Sequence, residues 1–234
     1  MRTWMMAVGV IGLLLTGCSS PRGFHRELMT ASLATPPAPA VTDADIQKAL
    51  DAKPTVKKPF KLGIYFMPGQ KRIEEDRSYD WNWTTADKDT VVDMAAVIKT
   101  RGMVTETAFI SSSLVATNDI RSIRYAAAQH GVDAVLVISG SSDTDRYNNP
   151  LGILYIGIVT AFFVPGTVVD ALFISHAGLW DVRNGCLLMS VEADGNASIT
   201  RPATAAREED AVARAKRESI KLLAHDVASR ISSM

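Results

Sequence analysis

Gly131-Val132-Asp133-Ala134-Val135-Leu136-Val137-Ile138 is the stretch on which the fold turns. Apart from Asp133, residues 132–138 are all apolar. A strand with one face in water alternates apolar and polar residues. A run that is apolar at every step needs cover on both faces, the condition of a strand inside a partly parallel sheet. His130-Gly131 just before it reads as a helix end, because glycine adopts the left-handed conformation that stops helices. Working back, Ile120, Ile123 and Ala127 mark the inner side of that helix. Ser111 to Asn118 is a turn, and Met103 to Ile110 a strand. Arg101-Gly102 closes an earlier helix that starts at Thr85 and carries Val91, Met94, Ala95 and Ile98 on one face. Phe60 to Met67 is the first strand, stopped by Pro68-Gly69. The β-α-β-α-β order predicts right-handed crossovers.

Toward the C-terminus the pattern changes. Ser139 to Pro150 is polar and reads as a loop. Leu151 to Val169 carries no charge and is interrupted by Pro165-Gly166. It is expected to be a long buried strand bent at Pro165-Gly166. The competing readings are a segment lying on a membrane or partner, and a transmembrane helix. The last would place the final helix across the membrane from the sheet it is built to cover. Arg183-Asn184-Gly185 lies between the apolar runs 171–182 and 186–193, a strong hairpin signal. Residues 204–232 form a long amphipathic helix with Val212, Ile220, Leu223, Val227 and Ile231 in its stripe. The expected fold is α/β (α+β): a mixed sheet, helices mainly on one face, and a C-terminal amphipathic helix, as one domain over 55–234.

The N-terminus carries a different signal. One positive charge, Arg2, precedes the uncharged apolar run Met5 to Leu15. That run is too short to span a bilayer, which takes roughly 20 apolar residues, and fits the h-region of a signal peptide. Leu15-Thr16-Gly17-Cys18 follows directly and resembles the bacterial lipobox. The resemblance implies a signal peptide over 1–17, cleavage between Gly17 and Cys18, and lipid on Cys18. Ser19, where an aspartate would favour retention at the inner membrane, implies an outer-membrane anchor facing the periplasm. Residues 18–54 are expected to be the lipidated cysteine and a flexible tether, rich in Ser, Pro, Ala and Thr. Phe24 to Met29 interrupts the tether and reads as a short helix or contact segment.

Chemistry is sparse. Lys+Arg and Asp+Glu number 25 each, so no basic excess argues for nucleic acid as a partner. The four histidines, His25, His130, His176 and His225, share no metal-ligand spacing, and no metal or cofactor is expected. With Cys18 lipidated, Cys186 has no partner for a disulfide and reads as a small buried hydrophobe. Asp143 and Asp145 are too few oxygens for a calcium loop. Trp81 and Trp83 are the candidate partner contacts; packing over the sheet is the competing reading.

The lipobox, the strand at Phe60–Met67, Gly131 to Val137, the run from Asn149-Pro150 through Pro165-Gly166, and Leu179-Trp180-Asp181-Val182-Arg183-Asn184-Gly185-Cys186-Leu187-Leu188 follow one another as in the rhombotarget lipoprotein family. The chain resembles that family. More distantly it is similar to the periplasmic α/β domain of curli secretion channels, the TolB N-terminal domain and the lipoprotein activators of penicillin-binding proteins. The family supplies no catalytic residues. Some of its members are associated with a C-terminal glycine-rich sorting tail and a membrane helix, and neither is expected at Ser232-Ser233-Met234. The expected function is a non-enzymatic binding or assembly module, anchored to the membrane by lipid and facing an envelope protein partner. The alternatives are an envelope-polymer hydrolase using the 139–149 loop, and a secretion or pore-associated subunit.

Overall fold

A computed structural model describes residues 20–33, 41–69, 81–151 and 160–234. Its elements are α1 (Arg26–Leu33), α2 (Asp43–Asp51), β1 (Phe60–Phe66), α3 (Thr85–Thr100), β2 (Val104–Phe109), α4 (Ile120–Gln129), β3 (Ala134–Asn148), α5 (Thr160–Phe163), β4 (Thr167–Asp181), β5 (Leu187–Arg201) and α6 (Glu208–Ser233). The five strands form one sheet in the order β2-β1-β3-β4-β5. β1 runs parallel to β2 and β3, and β3-β4-β5 is an antiparallel meander. This is the mixed sheet the element order predicts.

The apolar run at 134–138 is buried for the anticipated reason. Ala134, Leu136 and Ile138 point to the face covered by α3 and α6, where they meet Met94, Ile98, Leu223 and Val227. Val135 and Val137 point to the opposite face, against Ile123, Ala126 and Ala127 of α4. The helical mass lies mainly on one face, since α3 and α6 have 16 and 26 residues. The shorter α1 and α4 cover the other face. Local signals hold at the helix ends. Thr84 and Asp87 form a reciprocal capping box on α3. Gly131 closes α4 with φ 66°, a value other residues adopt only with strain. The Asn184-Gly185 turn joins β4 to β5 as expected, with Gly185 at φ 74°.

Three expectations need correction. The polar stretch 139–148 is not a loop but the second half of β3, paired residue for residue with β4 from Ala134↔Asp181 to Asn148↔Thr167. Pairing satisfies its backbone, and its short polar side chains find partners on both faces, so local loop propensity is overridden. The uncharged stretch 151–169 is not one buried strand. Thr167–Val169 belong to β4 and are buried, whereas Leu151, Phe162 and Phe163 are exposed at 47%, 56% and 77%. The intervening residues 152–159, with most of the expected bent strand, lie outside the described residues. Finally, the expected tether contains α2 as well as α1, of which α1 bears out the short helix or contact segment read at Phe24 to Met29. α1 is docked: Met29 is fully buried against Leu172 and Ile174, because those β4 side chains need cover that no other described helix provides.

The C-terminal helix lies very close to the sheet. A Cβ on Gly195 would land against the Ala215 carbonyl and 2.5 Å from the Ser219 amide. Ser175 and Ser219 are both fully buried, their hydroxyls 2.5 Å apart and both within reach of the Ala193 carbonyl, so that one hydroxyl donates to the other and the second proton goes to the carbonyl. Glycine and serine here let helix backbone approach strand backbone with every polar group satisfied.

Candidate functional site

β1 has β2 on one side and β3 on the other, and the crossovers pass over opposite faces: α3 on one, α4 on the other. In such sheets the connections part at the carboxyl ends of the strands and leave a crevice, the usual ligand position of open α/β sheets. A cleft of about 300 Å³ opens at that point. Met67 and Pro68 following β1, Thr117 to Ile120 at the start of α4, and Ser139, His176 and Trp180 from β3 and β4 line it. Ser32 and Leu33, the end of α1, close one side.

Ser139, His176 and Asp119 are the residue types of a hydrolytic triad, and all three line this cleft. They are not wired as one. Ser139 and His176 are direct cross-strand neighbours, but the hydrogen bond of the His176 ring runs from Nε2 to Ser190 Oγ, at 2.8 Å. Burial holds the imidazole below its ordinary value, against an opposing contribution from Glu192. Asp119 is spent as the N-cap of α4. Its carboxylate accepts from the Thr117 hydroxyl, the Ser122 amide and hydroxyl, and the Arg121 amide. Those donors, the Thr117 hydroxyl foremost, hold it well below the usual carboxylate range. The orienter and the base are thus committed elsewhere, and the geometry of nucleophile, base and orienter is not met. Among the described residues no group of His, Cys, Asp or Glu is arranged to hold a metal.

The second constructed feature is the seat of the N-terminal segment. β3 presents Ser141, Asp143 and Asp145 on the face that α1 covers. Asp145 Oδ2 accepts from the Arg22 and Gly23 amides at 2.5 and 2.9 Å. Asp143 Oδ2 accepts from the His25 amide at 2.8 Å and lies 3.2 Å from its ring. Ser32 donates to Ser141 at 2.9 Å. Arg26 pairs with Asp194 on β5. The segment therefore runs antiparallel to β3, with its N-terminal end toward Asn148. Sequence reading missed this seat. Its signal is the i, i+2 spacing of Asp143 and Asp145, which shares a face only if the stretch is a strand.

Trp81 and Trp83, the candidate partner contacts, have partners inside the fold. Trp81 is 8% exposed, edge-on to Phe173 at 4.8 Å, and also 4.8 Å from Trp83. Trp83 donates from Nε1 to the Met67 carbonyl at 2.6 Å. Gly140 makes room for them, since a Cβ there would stand 2.5 Å from the Phe173 ring. Lys216 reaches under both indoles, 5.9 Å from each ring, to Asp87 at 2.6 Å and the Asn82 carbonyl at 2.5 Å. In this arrangement both indoles pack within the fold. Residues 1–19, with Gly17 and Cys18, lie outside the described residues.

No family model matches the chain, and no curated protein matches it by sequence. The likeness to the rhombotarget lipoproteins therefore rests on residue order alone. Several solved structures overlap loosely in fold. XCC0632 from Xanthomonas campestris, of family DUF330, is 14% identical over 78% of this chain and 89% of its own, with a TM-score of 0.34. A minor lipoprotein from Acinetobacter baumannii is 14% identical over 74% and 90%, at 0.36. The PelC dodecamer from Paraburkholderia phytofirmans is 11% identical over 77% and 94%, at 0.34. No site residue is carried over from them.

Proposed function

We propose that this chain is a lipid-anchored lipoprotein of the bacterial cell envelope, cleaved between Gly17 and Cys18, that serves as a non-enzymatic binding or assembly module. The observation that carries the reading is Leu15-Thr16-Gly17-Cys18 directly after a short apolar run. Ser19 favours the outer membrane, with the domain in the periplasm. Several acyl chains on one cysteine anchor stably, where a single chain binds only marginally. The seat on β3 supports a short leash, because the chain is held from Arg22 onward. The cleft beside α4 supports binding over catalysis: its carboxylate caps a helix and its imidazole serves a serine outside it. An envelope protein segment that inserts an apolar side chain between Leu33 and Trp180 suits this lining.

Labelling cells with radioactive palmitate tests the anchor. Wild-type protein takes up label and Cys18→Ala does not; equal labelling of the two refutes it. Crosslinking the lipidated protein in intact cells tests the module, with recovery of a defined envelope protein expected. Turnover of an envelope polymer by purified protein, abolished by Ser139→Ala, overturns the non-enzymatic reading.

A further inference from the structure

We infer that the cleft beside α4 recognises an uncharged stretch of partner peptide, an apolar side chain together with the backbone carbonyls that flank it, and that Ser139 is the hydroxyl that reads a carbonyl. This deepens the binding reading above and rests on it. The lining carries the argument. Leu33, Met67, Pro68, Ile120, Ile123 and Val137 make the walls apolar, and a space of about 300 Å³ is at the small end for a ligand pocket, the size for a side chain and its neighbouring backbone. Donors without acceptors stand among these walls. Ser139 is 9% exposed, and its hydroxyl faces the cleft with no hydrogen-bond partner among the described residues. Asn118 accepts from the Tyr65 hydroxyl at 2.8 Å, which leaves its NH2 group unpaired among the described residues. The Trp180 indole lies over Gly178, where a Cβ would stand 2.9 Å from Nε1, and that N–H also lacks an acceptor among the described residues. A buried donor left unpaired costs free energy, and a ligand carbonyl recovers it.

The charges decide what kind of acceptor fits. Asp119 is the charged side chain of the described lining, and no lysine or arginine stands in that lining. Its carboxylate takes the Arg121 and Ser122 amides, so the start of α4 spends those amides on its own cap. Burial holds His176 below its ordinary value, so its ring is neutral at neutral pH. A carboxylate ligand would meet a fixed negative charge with no cation to offset it. A peptide carbonyl brings the acceptor without the charge. An extended peptide also carries carbonyls on both sides of an inserted side chain, and the donors come from different directions: β3 at Ser139, β4 at Trp180 and the entry to α4 at Asn118.

The test uses the full chain labelled with heavy nitrogen, processed in a bacterium and purified from membranes in detergent. The probes are acetyl-phenylalaninamide, acetyl-phenylalanine, in which a carboxylate replaces the terminal amide, and acetyl-serinamide, which keeps the carbonyls without the apolar side chain. The Trp180 indole N–H resonance, assigned by its loss in Trp180→Phe, reports binding. Acetyl-phenylalaninamide is expected to shift it saturably. Ser139→Ala is expected to raise the Kd for this probe about three- to tenfold, the worth of one neutral hydrogen bond. Acetyl-phenylalanine is expected to bind at least about threefold more weakly than the amide, and acetyl-serinamide to give no saturable shift. No saturable shift with the amide, equal binding of acid and amide, or an unchanged Kd in Ser139→Ala overturns the inference. The comparison of acid with amide is made on the wild-type protein and depends on no variant folding. Conversion of the amide to the acid, seen in the probe's own resonances, overturns the non-enzymatic reading underneath. An intact probe that never shifts Trp180, with a defined envelope protein still crosslinked in cells, removes the cleft and leaves the module standing.

Discussion

Replacing Lys216 with methionine keeps most of its volume and removes its charge. Lys216 is 4% exposed and its partner Asp87 6%. The ammonium sits 2.6 Å from the carboxylate, 2.5 Å from the Asn82 carbonyl, and under two indole rings. Removing one member of a buried pair leaves the other charged in a medium that solvates it poorly. That costs roughly 3–5 kcal/mol, while replacing both members with neutral groups is often close to neutral. Asp87 has a second task, accepting from the Thr84 amide and hydroxyl at the start of α3. Asparagine keeps an acceptor there, so Asp87→Asn tests the charge and spares the cap. Lys216→Met should lower stability by about 3–5 kcal/mol, a melting shift of roughly 6–20 °C for a domain of this size. The double variant should be more stable than Lys216→Met alone, with a coupling energy of about 2 kcal/mol or more. Urea titration of the four proteins followed by circular dichroism gives the cycle. A Lys216→Met cost below about 1 kcal/mol, or simple additivity, would refute the reasoning.

Gly195→Ala forces a methyl into α6 backbone and should cost about 1–3 kcal/mol, read as a lower urea midpoint. Asp145→Ala removes the acceptor of the Arg22 and Gly23 amides, and hydrogen exchange should accelerate over 20–33 while the β3 core stays protected; unchanged exchange there would mean the seat does not depend on this carboxylate. His176 has a folded pKa below its ordinary value because of burial, so the unfolded chain takes up its proton first. Its contribution is complete above about pH 6.5 and is lost as pH falls toward the folded value. The stability–pH slope in that window should flatten in His176→Gln, measured by urea midpoints from pH 7.5 to 5.

Most of the framework was legible in the residues, because it is set by local, periodic signals. The doubly apolar run 132–138, the glycine stops at 102 and 131, the Thr84–Asp87 box and the Asn184-Gly185 turn each act within a few positions, and each has its expected place. The 208–233 helix declares its buried stripe through spacing alone. The proposed lipobox, Leu15-Thr16-Gly17-Cys18, likewise rests on adjacent residues. What the chain could not announce were its long-range partners. Ser139 to Asn148 is loop-like in composition and becomes strand only because β4 pairs with every residue of it. Its aspartates then acquire a purpose from amides more than a hundred positions away. Asp119, His176 and Ser139 meet in one cleft through the crossovers around β1, and which hydrogen bonds each makes is decided there. Trp81 and Trp83 lean toward packing over the sheet from sequence, with a partner as the alternative, but only the fold shows Gly140, Phe173 and Lys216 close around them. Local propensity reaches a few residues along the chain, whereas burial and polar satisfaction are settled by neighbours that only the folded sheet brings together.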